Sequence, residues 1–305
     1  MSNRTLRDLL HQPGITRAVG AHDSVGARLI EDAGFDAVWA SGLEISAARG
    51  VPDTNILSVT EVLGAASAIA HSVNVPVLAD CDSGFGNVNN VIHMVRAFEE
   101  AGVAGVCIED KVFPKVNSFI AGGQDLEPRN VFAAKIKAAV TARTSRDFVV
   151  VARLEALIAG HGMEEALQRA ELFEAAGADA LLIHSKQADP GEVVEFRRRY
   201  DGALPVVIVP TTYYGTTATE FEQAGFAMAI YANQLMRSSI TAMKETLASI
   251  REHDSTADLE PRISAVKDIF ALQRVAETLA LQRELESFGD ELAATAGQCE
   301  PEPVR

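Results

Sequence analysis

Residues 109–118 read Glu-Asp-Lys-Val-Phe-Pro-Lys-Val-Asn-Ser, which brings two acids, two lysines, an amide and a hydroxyl into ten positions. Such a set can hold a cation through oxygens, grip an anion through ammonium and amide groups, or pass a proton. Gly105 to Ile108, ahead of it, reads as a short apolar strand; Ala121, Gly122 and Gly123, behind it, suit neither helix nor strand. The polar groups therefore begin at the C-terminal end of a strand and continue along a flexible loop, where chemistry concentrates. A solvated charged turn is the ordinary fate of a Lys/Glu-rich connection. Pro114, the mixture of donors and the neighbouring strands weigh against that bland reading.

The elements that must position this loop show as a repeat. Ala33-Gly34, Ala101-Gly102, Ala176-Gly177 and Ala224-Gly225 each end a helical stretch and lead into a short apolar run. Those runs are strands over 37–42, 105–110, 180–185 and 227–233, and four more fit at 17–22, 76–82, 148–153 and 205–210. Helical spacing of apolar residues separates them, over 24–33, 59–71, 91–101, 131–142, 164–176, 191–200, 217–224 and 240–253. Eight strand–helix units in order imply a parallel sheet, and units of this length match a closed (β/α)8 TIM barrel better than an open doubly wound sheet. No Gly-x-Gly-x-x-Gly turn supports dinucleotide binding. An extra C-terminal helix is expected over 264–288, with an incomplete apolar face. Residues 1–288 thus form one barrel domain with its C-terminal helix, and 289–305, with Pro301 and Pro303, read as a disordered tail.

Composition narrows the function. The chain has 305 residues, 48% hydrophobic and 23% charged, which is ordinary for a globular protein. A net charge of −15 disfavours nucleic acid and anionic membranes as partners, and an anionic substrate would need locally placed cations. No run is long and apolar enough to span a bilayer, and the first ten residues lack a secretory h-region. Three widely spaced cysteines form neither a metal pattern nor a disulfide framework, so the cytoplasm is the expected compartment.

In such a barrel, chemistry sits at the C-terminal strand ends and the loops that follow. There the sequence places Trp39, Ser41, Gly42 and Leu43; Asp53 in the next loop; Asp80 and Asp82; Glu109; Arg153; and His184. Asp80 and Asp82 are two apart, so a strand would direct both to one side, near Glu109 and Asp53. Four uncompensated carboxylates repel. A hard divalent cation resolves this, and an all-oxygen donor set suits magnesium, with manganese also fitting. Singly, each acid is more often a cap or a salt-bridge partner. Arg153 and His184 share the rim with Lys115, Asn117 and Ser118 above, and with the metal they would hold a phosphoryl or carboxylate group. Alone, Arg153 could equally pair with Glu155 or Glu109, and His184 could be a bonded core histidine. Ser41-Gly42-Leu43 offers backbone N–H groups for an oxyanion, or is a plain tight turn. Cys107 reads as a buried apolar side chain, Cys81 as facing the helices, and His161 as solvent-exposed.

These motifs resemble the phosphoenolpyruvate mutase family of the isocitrate lyase superfamily. Residues 109–118 match the signature Glu-Asp-Lys-x-x-Pro-Lys-x-Asn-Ser at every fixed position. Trp39-Ala40-Ser41-Gly42-Leu43, Asp80-x-Asp82-x-Gly84-x-Gly86-Asn87, Arg153-x-Glu155-Ala156, His184-Ser185-Lys186 and Val209-Pro210-Thr211 match further motifs. The resemblance implies Asp80 as a direct magnesium ligand, with Asp82, Glu109 and Asp53 acting through metal-bound water. It implies Ser41, Gly42 and Leu43 as binders of the pyruvyl oxygens, with Trp39 as a wall. Arg153 and His184 would grip the phosphoryl group, and Lys115, Asn117 and Ser118 would close over it. The implied reaction moves the phosphoryl group of phosphoenolpyruvate from O2 to C3, giving phosphonopyruvate. The family also exchanges a C-terminal helix between subunits and forms dimers of dimers, so a homotetramer is expected.

Departures are small: Cys81 stands for a smaller residue, and Ser83, Phe85 and His161 replace a threonine, a tyrosine and another aromatic. The nearest alternative is phosphonopyruvate hydrolase, a branch with threonine at the position of Asn117. Carbon–carbon lyases of the superfamily carry a cysteine there, as general acid in a Lys-x-Cys-Gly-His loop. A non-catalytic organic-acid-binding barrel would have lost a ligand or loop residue, and none is lost.

Overall fold

The structure is a computed structural model, and it describes residues 4–296. Eight strands, β1 (Thr16–Ala21), β2 (Ala37–Ala40), β3 (Val77–Asp80), β4 (Gly105–Glu109), β5 (Val149–Leu154), β6 (Ala180–Ile183), β7 (Val206–Ile208) and β8 (Met228–Tyr231), close into a parallel barrel in sequence order. Closure is made by Thr16 to Val19 pairing with Met228 to Tyr231. The helices are α1 (Leu6–His11), α2 (Ser24–Asp32), α3 (Gly42–Ala48), α4 (Val59–Ala70), α5 (Val88–Glu100), α6 (Arg129–Ala142), α7 (Gly162–Ala175), α8 (Gly191–Arg199), α9 (Ala218–Gln223), α10 (Gln234–His253), α11 (Val266–Leu272) and α12 (Val275–Ala296). All eight expected strands are present, and the Ala-Gly repeats end α2, α5, α7 and α9.

Strand alternation divides the core in two. Ala18, Trp39, Leu78, Cys107, Val151 and Leu182 fill the barrel interior. Val38, Val106, Ile108 and Val150 face outward and pack with Phe98, Phe132 and Phe173 of the surrounding helices. Cys107 falls in the inner set and Cys81 in the outer one, as alternation requires. Two helices escape the sequence reading. The six residues of α1 are too few for a clear period, yet Thr5 and Asp8 cap each other's backbone, and Leu6, Leu9 and Leu10 join the inner core. The seven residues of α3 begin at Gly42, with Ser41 as N-cap.

The chain falls into two compact units, divided after Ile240. The first holds the barrel. In the second, the single helix expected over 264–288 is two helices, because Arg274 adopts a left-handed φ of 53° between α11 and α12. Helix α12 continues through Gly289 to Ala296, where the sequence suggests a tail; 297–305 lie outside the described residues. Among the described residues no helix is long and apolar enough to cross a membrane.

Candidate active site

The C-terminal strand ends bring the expected acids together, by a partly different route. Asp80 ends β3, but Asp82 lies beyond it with a φ of 48°. A left-handed turn, not strand alternation, therefore carries Asp82 to the rim, and the Glu109 N–H fixes it by donating to the Asp82 carbonyl at 2.7 Å. Glu109 and Arg153 are register partners on β4 and β5, which sets Arg153 Nε 3.3 Å from Glu109 Oε2. Burial lifts the Asp80 carboxyl to about 6 and that of Asp82 to about 7, and mutual repulsion with the other rim acids adds to both shifts.

The 112–125 loop supplies the cation. Lys115 Nζ lies 2.6 Å from Asp53 Oδ1 and 3.0 Å from Asp82 Oδ1. Asn117 Nδ2 donates to Asp53 Oδ2 at 2.6 Å, and its backbone N–H donates to the Asp53 carbonyl at 3.2 Å. Burial opposes ionisation of Asp53, but Lys115 and the Asn117 amide outweigh it and hold its pKa below the ordinary value. Burial likewise opposes the charge on Lys115, and four surrounding carboxylates, led by Asp82, overcome it and raise its pKa.

Arg153, His184 and Ser118 converge on Glu155. Arg153 Nε donates to Glu155 Oε1 at 2.5 Å, and His184 Nδ1 lies 2.8 Å from the same oxygen. Ser118 Oγ donates to Glu155 Oε2 at 2.8 Å while accepting from Lys111 Nζ at 2.7 Å. Burial disfavours the Glu155 carboxylate, yet Arg153, His184 and Lys111 hold its pKa well below the usual range. Burial pushes the His184 imidazole down, against the pull of Glu155. The sequence left Arg153 open between Glu155 and Glu109, and the side chain meets both.

Ser41, Gly42 and Leu43 form the start of α3 and not a free turn. The Gly42 N–H points at Asp80 Oδ2 across 3.3 Å, and a Cβ at this residue would come within 3.0 Å of the same oxygen. Any other residue here would make the Asp80 carboxylate give way by a few tenths of an ångström. Trp39, Ser41, Leu43, Asp53, Asp80, Lys115, Asn117, Ser118, Phe119, Arg153 and His184 line one cavity of about 50 Å³, with Val209, Thr211, Ala232 and Asn233 on the far side. That volume holds a few waters. Asp53, Lys115, Ser118 and His184 are all buried, so a substrate can enter only if the loop lifts.

The residues fit a divalent cation held mainly through water. Glu109 Oε1 is buried without a hydrogen bond, Asp82 Oδ1 meets only the Lys115 ammonium, and two cationic side chains, Lys115 and Arg153, face four rim carboxylates. Among the described residues no three His, Cys, Asp or Glu side chains are close enough to hold one ion directly. A site with a single direct ligand does not need three.

A family model described as phosphoenolpyruvate phosphomutase matches residues 6–251. The chain belongs to the phosphoenolpyruvate phosphomutase family. It is 49% identical to a phosphoenolpyruvate phosphomutase structure from Streptomyces platensis subsp. rosaceus, with a TM-score of 0.90 over 92% of this chain and 97% of that one. It is 44% identical to the phosphoenolpyruvate phosphomutase of Tetrahymena pyriformis, over 88% of this chain and 90% of the relative. A phosphonopyruvate hydrolase structure in complex with oxalate and Mg++ is 40% identical, with a TM-score of 0.87 over 92% of this chain and 98% of that one. The mutases are thus the better match, and the hydrolase is a near relative.

Within this phosphomutase-family site, one side chain is underrated by the sequence and another escapes it. Glu155, read there as a possible partner of Arg153 and as part of the Arg153-x-Glu155-Ala156 motif, is completely buried and also binds His184 and Ser118. Asn55 touches both Asp82 and the backbone of Lys115, and no spacing rule points to it. His161 is exposed.

Proposed function

We propose that this chain interconverts phosphoenolpyruvate and 3-phosphonopyruvate, with magnesium, or manganese in its place, held by Asp80 directly and by Asp82, Glu109 and Asp53 through water. The observation that carries the reading is Asn117, an amide on the closing loop that bonds Asp53 in the cavity wall, at the position where the family resemblance implies threonine for the hydrolase branch and cysteine for the lyases. In the reaction the P–O2 bond breaks, the enolate of pyruvate is left, and its C3 forms the new P–C bond; no redox partner or water is consumed. The passage is loose and metaphosphate-like, so positioning and charge do most of the catalysis. When bound, the cation supplies positive charge to the oxygens of the enolate.

The protein's own groups do the rest. Ser41 and Leu43, which line the cavity, hold the pyruvyl oxygens with Trp39 beside them, while the Gly42 N–H is directed at Asp80 Oδ2. Arg153 holds the phosphoryl oxygens chiefly through Nη1, because Glu155 and Glu109 hold Nε while Nη2 meets Ser118 and His184. His184, kept largely neutral by burial, adds a hydrogen bond without repelling Arg153. Lys115, Asn117 and Ser118 close the cavity and keep water from capturing the phosphoryl group. The test is turnover of phosphonopyruvate with a coupled trap for phosphoenolpyruvate.

The enzyme acts in the cytoplasm as a homotetramer, a dimer of dimers that exchanges C-terminal helices. Free, buried Cys81 and Cys107 support the first part. Exposed Val266, Ile269, Phe270, Leu285, Phe288 and Leu292 on α11 and α12 support the second, since a soluble monomer rarely leaves so many apolar side chains on adjoining elements.

A further inference from the structure

Asn55 lies in the loop between α3 and α4, two residues after Asp53, with a left-handed φ of 56°. Its amide is used at both ends. The Lys115 N–H donates to Asn55 Oδ1 at 2.6 Å, and Asn55 Nδ2 donates to Asp82 Oδ2 at 2.6 Å. A backbone N–H can only donate, so the Lys115 contact fixes which end of the amide is oxygen. The NH2 end must then face the Asp82 carboxylate. One side chain thereby bridges the closing loop and the turn that presents Asp82.

This bridge differs from the ion pair beside it. The Lys115 ammonium occupies Asp82 Oδ1, whereas Asn55 occupies Oδ2. The ammonium sits on a long flexible stem and can leave with the loop while Asp82 stays put. The Asn55 contact is to the backbone of residue 115 and ties the position of the chain itself. Asparagine suits the place in two ways: it tolerates a left-handed backbone, and it alone of the small polar side chains offers a donor and an acceptor on opposite arms. Aspartate would keep the acceptor for Lys115 but set a second negative charge against Asp82.

We propose that Asn55 is a positioning residue that couples the Asp82 carboxylate to closure of the 112–125 loop, so that the loop and the metal-facing turn are set together. This rests on the reading of Asp82 as a metal-facing acid, but its first test does not. In the closed protein Lys111 and Lys115 are buried, so trypsin reaches the Lys115–Val116 bond only when the loop lifts. In ligand-free protein, Asn55→Ala and Asn55→Asp should each speed cleavage there by about tenfold or more: alanine loses one hydrogen bond to a charged group and one to the backbone, and aspartate exchanges the first for repulsion against Asp82. Cleavage elsewhere in the barrel should keep its wild-type rate, which separates loop release from general unfolding.

The second readout is magnesium affinity, followed through fluorescence of the single tryptophan, Trp39, which lines the cavity. Both variants should bind magnesium more weakly, and Asn55→Asp should not recover affinity although it still accepts from Lys115. Wild-type cleavage rates in both variants would overturn the coupling. So would faster cleavage with unchanged magnesium affinity, since Asn55 would then hold the loop alone. Magnesium that leaves wild-type Trp39 fluorescence unchanged while the variants still release the loop would count against the metal reading of Asp82 and leave Asn55 as a loop clamp, which also overturns the coupling.

Discussion

Lys115 and Asp53 stand 62 residues apart and meet at 2.6 Å between Nζ and Oδ1, both buried. The pair ties the closing loop to the loop between α3 and α4, at the cavity that both residues line. Removing either partner leaves the other charge buried without its counterpart, which is costly. Lys115→Ala and Asp53→Ala should each lower turnover by roughly two to three orders of magnitude, the scale of losing one preorganised charge in a closed site. Steady-state kinetics on each variant checks this; a loss below tenfold would mean that the closed loop is not the working state.

Removing the metal is the next test. Chelation should abolish turnover, and magnesium or manganese should restore it. Asp80→Ala should be harder to rescue with excess magnesium than Asp82→Ala, because it takes away the proposed direct ligand. Full turnover in chelator-treated buffer would contradict the metal role of this rim.

The rim acids also set a pH dependence. Burial raises Asp80 to about 6 and Asp82 to about 7, from an ordinary 3.8. The folded chain then binds more protons than the unfolded one. Their contribution to stability is complete below the unfolded value and is lost as pH rises through 6 to 7. Asp53 and Glu155, with lowered pKa values, act in the opposite direction: they stabilise above the ordinary carboxylate range and lose that contribution as pH falls below it. A divalent cation competes with protons on the first two. The rise in melting temperature on adding magnesium should therefore be larger at about pH 8 than at about pH 5.5. Differential scanning fluorimetry reads it, and a larger rise at the acid end would contradict the assignment.

Association tests the second unit. Light scattering at micromolar concentration should give a multiple of the 32.6 kDa chain, with the tetramer as the expected species. Phe270→Glu together with Phe288→Glu, both on exposed apolar positions, should reduce the mass. A wild-type monomer would overturn this part of the account.

Much of this molecule is legible in its sequence because barrel strands announce themselves. Runs such as Val149–Leu154 are apolar on both faces, and each Ala-Gly pair marks a helix end. The polar residues that interrupt those runs, Asp80, Glu109, Arg153 and His184, then fall on one rim by topology alone. What escaped has local causes. Helix α1 is too short to show a period, Asp82 reaches the rim through a left-handed turn that alternation cannot foresee, and the break at Arg274 has no glycine or proline to mark it. Asn55 and Glu155 are more instructive. Asn55 matters through a contact 60 residues away to Lys115, and Glu155, legible only as a partner of Arg153, matters also through one 37 residues away to Ser118.

The central claim is transfer of phosphorus between oxygen and carbon without loss to water, and phosphorus NMR follows it directly. Wild-type protein with magnesium and phosphonopyruvate should convert the phosphonate resonance into that of phosphoenolpyruvate, with little inorganic phosphate. Asn117→Ala should slow the conversion by roughly two to three orders of magnitude, and Arg153→Ala by at least as much. Stoichiometric growth of the inorganic phosphate signal, with no phosphoenolpyruvate at any time, would show a hydrolase and contradict the account.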